Sequence, residues 1–146
     1  MNGHHMRRAL VTLAALVVGT AGMGLVTAPA ASAAGYGCGG SLVGQYNIKD
    51  GAGSTWGTIN VYYSSANGGT NCAVNVAKRY AGTPHLLEVN LFQGNRKAED
   101  EGKFSQYAGP VSLTSTNGDC ITVSGWVTSP LGSTAVGDKW QDIHCG

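Results

Sequence analysis

The chain has 146 residues, of which 23 are glycine and four are cysteine, with nine Lys and Arg against eight Asp and Glu. Set aside the first 33 residues and seven basic side chains face eight acidic ones. That balance supplies no cationic field for nucleic acid or an anionic membrane.

Residues 1–33 read as a secretory leader. Arg7 and Arg8 form a basic end, an apolar stretch runs from Ala9 to Val26, and Ala31-Ser32-Ala33 supplies a small-residue cleavage pattern. Gly and Thr interrupt the stretch and no basic stop-transfer cluster follows, so a cut after Ala33 is expected rather than a retained membrane anchor. Residues 34–146 then form a single secreted β domain.

All four cysteines, Cys38, Cys72, Cys120 and Cys145, fall in that part. No C-x-x-C occurs, and an even count in an oxidising compartment predicts two disulfides rather than a zinc or redox site. Three pairings are open to four cysteines. Nearness in sequence favours Cys38 with Cys72 and Cys120 with Cys145.

Along the chain, short alternating runs are separated by Gly, Asn, Ser and Pro clusters. That pattern predicts an all-β fold of six or so strands: a compact antiparallel β-sandwich or small barrel stapled by two disulfides. "SLVGQYNIKDG" gives a first strand ending at Asp50-Gly51. "STWGTINVYYS" follows, with Ile59, Val61 and Tyr63 on one face and Trp56, Thr58, Asn60 and Tyr62 on the other. "SANGGTN" turns the chain into "CAVNVAKR", where Cys72, Val74 and Val76 are expected to face inward. His85, after Pro84, reads as an exposed loop residue before "LLEVNLF", whose Leu87, Val89 and Leu91 share a face.

Residues 96–101 crowd five charges into six positions. They read as a solvated turn, because contiguous Glu99, Asp100 and Glu101 splay apart, whereas glycoside hydrolysis needs opposed carboxylates. They also lack the spacing of a calcium loop. The two alternating segments of "YAGPVSLTSTNGDCITVSGWVT" suggest a hairpin at Asn117-Gly118, with Pro110 at a strand start or edge. "SPLGSTAVG", residues 129–137, reads as a mobile surface loop, and "DKWQDIHCG" as a last strand.

No G-x-S-x-G occurs. Asp142 and His144, two apart on the last strand, would point to one side and mark the candidate site of a small hydrolase. With Asp138 they still complete no metal first shell, so no metal and no cofactor are expected. Trp56, Tyr62 and Trp126, set among Thr, Asn and Ser, form a candidate ligand platform for sugar rings or a protein partner.

Several of these runs together carry a resemblance. An early cysteine, "GTINVYYSSANGGTNCAV", "DEGKFSQYAGPVSL" and "GDCITVSGWV" resemble small exported actinobacterial proteins of the spore-associated protein A type, over Cys38 to Val127. Tyr107 to Val111 is the most specific stretch. The resemblance implies a secreted protein found with aerial hyphae or spores, without a defined catalytic activity, and it carries over no catalytic residue. The expected role is structural or binding, with a cell-wall or spore-surface component or another protein as partner and no membrane after cleavage. The competing readings are a secreted effector, either a growth-inhibiting toxin or a protease inhibitor presenting residues 129–137, and the small hydrolase.

Overall fold

The computed structural model describes residues 35–146. The leader expected over residues 1–33, with its cut after Ala33, lies outside them. After a short turn, Gly35–Gly37, come eight strands: β1 (Ser41–Lys49), β2 (Thr55–Ser64), β3 (Thr70–Ala77), β4 (His85–Gln93), β5 (Arg96–Phe104), β6 (Tyr107–Thr114), β7 (Ile121–Thr128) and β8 (Ala135–Ile143). They form two four-stranded antiparallel sheets, ordered β1-β2-β3-β6 and β5-β4-β7-β8. Both sheets are open, and neither closes on itself as a barrel does.

The core between them follows from strand alternation. Ile59 and Val61 of β2 and Ala73 of β3 meet Leu87, Val89 and Leu91 of β4 and Val123 and Val127 of β7, all without solvent exposure. A second cluster occupies the opposite face of the first sheet. There Tyr62, Cys72, Val74 and Val76 pack with Cys38, and Tyr107 closes the edge. The inward assignment of Cys72, Val74 and Val76 is therefore corrected: they point away from the other sheet, and Ala73 and Ala77 face it. Because β2 and β3 are buried on both faces, alternation alone does not tell which side meets the partner sheet.

The charged stretch at 96–101 is corrected as well. It is not a turn but most of β5, paired in register with β4 from His85↔Phe104 to Gln93↔Arg96. Lys97, Glu99, Glu101 and Lys103 face solvent, while Ala98, Asp100, Gly102 and Phe104 are half-buried. An edge strand tolerates such charge and is protected by it from pairing with other chains. The turn itself is Gly94-Asn95, with Gly94 at φ 54°, in keeping with a two-residue hairpin that has glycine first.

Asn117-Gly118 does not make a hairpin. β6 pairs with β3 and β7 with β4, so residues 115–120 cross between sheets. Ser115, Thr116 and Asn117 donate backbone N–H bonds to Asn67, Gly69 and Gly68 of the β2–β3 connection. The last strand begins at Ala135 rather than Asp138. The loop before it is only residues 129–134, tied by the Ser129 N–H to the Thr134 carbonyl at 2.8 Å. Pro110 does lie in an edge strand, where its missing donor costs no ladder bond. Far from being an exposed loop residue, His85 is buried at the start of β4, its Nδ1 donating to the Thr83 carbonyl at 2.6 Å.

Asn75 of β3 ties the two sheets together. Its fully buried amide donates to the Glu88 carbonyl at 2.8 Å and the Trp126 carbonyl at 3.1 Å. Gly57 and Gly125 leave room for it: a Cβ on Gly57 would stand 2.7 Å from Asn75 Oδ1, and one on Gly125 2.4 Å from the Glu88 carbonyl oxygen. Both disulfides form in the favoured pairing, Cys38–Cys72 and Cys120–Cys145, and no cysteine is free.

Candidate functional site

The three aromatics of the candidate platform do not come together. Trp56 opens β2 and is buried, its indole N–H donating to Asp50 Oδ2 at 2.8 Å. The Arg79 guanidinium lies 4.7 Å from its ring centroid, and Tyr80 meets it edge-on. Asp50 also accepts the backbone N–H groups of Ser54 and Ala52. The Trp56 indole first, and then these amides, hold its carboxyl below the ordinary carboxylate range. This arrangement satisfies a buried indole and folds the β1–β2 turn. Tyr62, at the other end of β2, is buried against the Cys38–Cys72 bridge.

Trp126 alone stays accessible, at 37% exposure on the outer face of the second sheet. It faces Gly137 across the β7–β8 ladder and Glu88 across β4–β7. With Glu88, Asn90, Ser124 and Gly125 it lines a shallow depression of about 180 Å³. Asn90 is buried there, its side-chain N–H groups reaching Glu88 and Ser124 Oγ, and its Oδ1 has no hydrogen-bond partner among the described residues. A ring beside a carboxylate, an amide and a hydroxyl offers one stacking surface and several hydrogen-bonding groups.

Asp142 and His144 are separated by the end of β8. Asp142 has φ 51° and His144 also φ 51°, which breaks the alternation that would have set both on one side. His144 Nε2 stands 3.0 Å from the Tyr46 hydroxyl, and its ring meets the Tyr46 ring edge-on. Burial lowers the His144 pKa from its ordinary 6.5 and raises that of Tyr46 above 10.0. The neutral pair is therefore the stable one, joined by a hydrogen bond between the Tyr46 hydroxyl and Nε2. Tyr46 packs on Trp140 as well, with centroids 5.2 Å apart, so β1 clasps β8 on this side of the molecule. On the opposite side the Gly109 N–H donates to Asp100 Oδ2 at 2.7 Å, joining β6 to β5. Sequence reading missed Tyr46 because its partner lies 98 positions away, and no local pattern marks such a contact.

Among the described residues no group of three or more His, Cys, Asp and Glu side chains is placed to hold a metal ion. No described helix is long and apolar enough to cross a membrane.

No protein-family model matches the sequence. No solved structure matches it either. Among curated proteins, spore-associated protein A of Streptomyces coelicolor is 38% identical over 117 residues, spanning 74% of this chain and 73% of that protein. Identity of that depth over most of both chains makes this chain a member of the spore-associated protein A family.

Proposed function

We propose that this is a non-catalytic, exported protein that works outside the cell, at the surface of hyphae or spores, as a structural or binding component. The relationship to spore-associated protein A carries the proposal. Three further observations support it. The leader over residues 1–33 would deliver the chain to the outside, and two disulfides suit an oxidising space. Two of the side chains that could do acid–base work are occupied in holding the fold: Asp50 caps Trp56, and His144 clasps Tyr46. Of the platform residues, Trp126 is the one set to meet a partner.

The test is retention. Fluorophore-labelled oxidised protein is added to washed hyphae and spores of an actinobacterium, and the bound fraction is measured. The proposal predicts saturable labelling of the outer surface, reduced at least severalfold by Trp126→Ala. Protein that stays wholly in the medium contradicts a surface role.

One observation favours a second reading, a secreted protease inhibitor. Leu131 is 94% exposed at the tip of the β7–β8 loop. The loop is cross-tied by the Gly132 N–H to the Ser129 carbonyl and by the hydroxyls of Ser129 and Ser133. A rigid loop presenting one apolar side chain loses little entropy on binding. Dose-dependent inhibition of a secreted protease, abolished by Leu131→Asp, would favour this reading over the first.

A further inference from the structure

One open end of the layer between the sheets forms a cavity that none of the sequence motifs pointed to. It is bounded by Val43 on β1, Tyr63 at the end of β2, Asn71 on β3, the crossing Thr116–Gly118, and the tail from His144. Its volume is about 340 Å³, at the lower end of the range for small-molecule sites and wide enough for one sugar ring.

The chemistry of its walls is uniform in one respect: no Asp, Glu, Lys or Arg side chain lines it. Its polar side chains offer hydroxyls, amides and one imidazole. Asn71 is 1% exposed, its Nδ2 donating to Thr116 Oγ1 at 2.9 Å, and its Oδ1 has no hydrogen-bond partner among the described residues. The Tyr63 hydroxyl donates to Asn117 Oδ1 at 3.2 Å, which leaves the Asn117 amide N–H groups for other acceptors. His144 pairs through Nε2 with the Tyr46 hydroxyl, which leaves Nδ1 as the ring nitrogen for another partner, donor or acceptor according to the tautomer. Donors and acceptors thus both line the cavity, beside the apolar surfaces of Val43 and the Tyr63 ring.

Such a set of side chains offers no cation to hold an anionic ligand. It does match a ligand that carries hydroxyls on its rim and C–H groups on its face. We propose that this cavity binds one neutral pyranose unit of a glycan. The inference rests on the binding role proposed above and gives that role a ligand class. Rigidity supports it: the Cys38–Cys72 bridge adjoins Asn71 and the Cys120–Cys145 bridge adjoins His144. Both walls are fixed before a ligand arrives, which lowers the ordering cost of binding.

The experiment is an NMR titration of the oxidised protein, expressed from the full sequence, with glucose, N-acetylglucosamine and, as charged comparator, glucuronate. The expected result is saturable shifts of the Tyr63, Asn71, Thr116, Asn117 and His144 amides with a neutral sugar, and at least tenfold weaker binding of glucuronate. Val43→Glu, on an exposed rim position, should weaken the neutral sugar at least tenfold while leaving the remaining spectrum unchanged. It provides the test if an Asn71 variant fails to fold. Unchanged pocket amides at tens of millimolar of either neutral sugar would overturn the proposal, as would equal binding of glucuronate. Sugar-dependent shifts confined to Trp126 and Glu88 would overturn this site while leaving a binding role standing. Pocket shifts in a protein that spores and hyphae do not retain would uphold the site and remove the surface reading.

Discussion

Asn75 bridges two carbonyls from neighbouring strands of the opposite sheet, and the space for it exists because residues 57 and 125 have no side chain. A methyl at Gly125 meets the Glu88 backbone oxygen, which cannot swing aside as the end of a long side chain could. Gly125→Ala is expected to cost about 2 kcal/mol or more from overpacking. Asn75→Ala should cost about 1–3 kcal/mol by leaving buried carbonyls unpaired. Chemical denaturation of both variants checks these values. Asp50 adds a pH-dependent contribution. Its carboxyl ionises at lower pH in the folded chain than in the unfolded one. The stability it gives is complete above its ordinary value of 3.8 and is lost as pH falls through the lowered folded value. Asp50→Asn should therefore be less stable than the parent at neutral pH, with the gap closing in acid; melting temperatures across that range decide it. His144 and Tyr46 bound the clasp from both sides. A histidine held below 6.5 loses stability as pH falls under that value, and a tyrosine held above 10.0 loses it as pH rises past that value.

Among the elements, β5 separates what local pattern reveals from what pairing decides. Its charges pointed to a turn, yet half its side chains alternate toward the interior and its neighbour β4 is strongly apolar. The hairpin signal is Gly94-Asn95, which the denser charge after it obscures. Hydrogen exchange gives the check: alternate β5 amides, those directed at β4, should exchange slowly, whereas a solvated turn would leave all of them fast. Lys97→Ala and Glu99→Ala, on the solvent face, should change stability by no more than about 0.5 kcal/mol, since an exposed ion pair contributes little. The runs at 54–64, 72–79 and 86–92 are legible as strands because their alternation is long and their turns are rich in glycine and asparagine. Which face of β2 and β3 looks inward is not, because both are apolar. Asn117-Gly118 was misleading for a related reason: the turn residues are present, but the strands they join belong to different sheets, and sheet membership is a long-range property.

At the scale of the molecule, two open sheets of Gly-rich strands are held by a modest core and two covalent links. Loops of 34 and 25 residues give about 3 to 4 kcal/mol each by the chain-entropy estimate, a large part of a typical total of about 5 to 15 kcal/mol. Replacing either pair by Ser should lower the melting temperature steeply, and loss of Cys120–Cys145 should also free the tail that carries His144. The all-β class could be read from the chain because alternation is local, and the favoured bridge pairing because each bridge joins cysteines that are neighbours in sequence order. The cavity at the sheet end could not, since its walls come from five separated segments that only the topology gathers. Trp56 and Tyr62 looked equal to Trp126 for the same reason: burial is decided by what covers a side chain, not by its neighbours in sequence. The most direct measurement is mass spectrometry, without reduction, of the protein recovered from washed spores and from the culture medium. The account predicts a chain beginning at Ala34, no free thiol, and peptides joined Cys38 to Cys72 and Cys120 to Cys145. A protein found within the cell, with its leader intact and its thiols free, would contradict it.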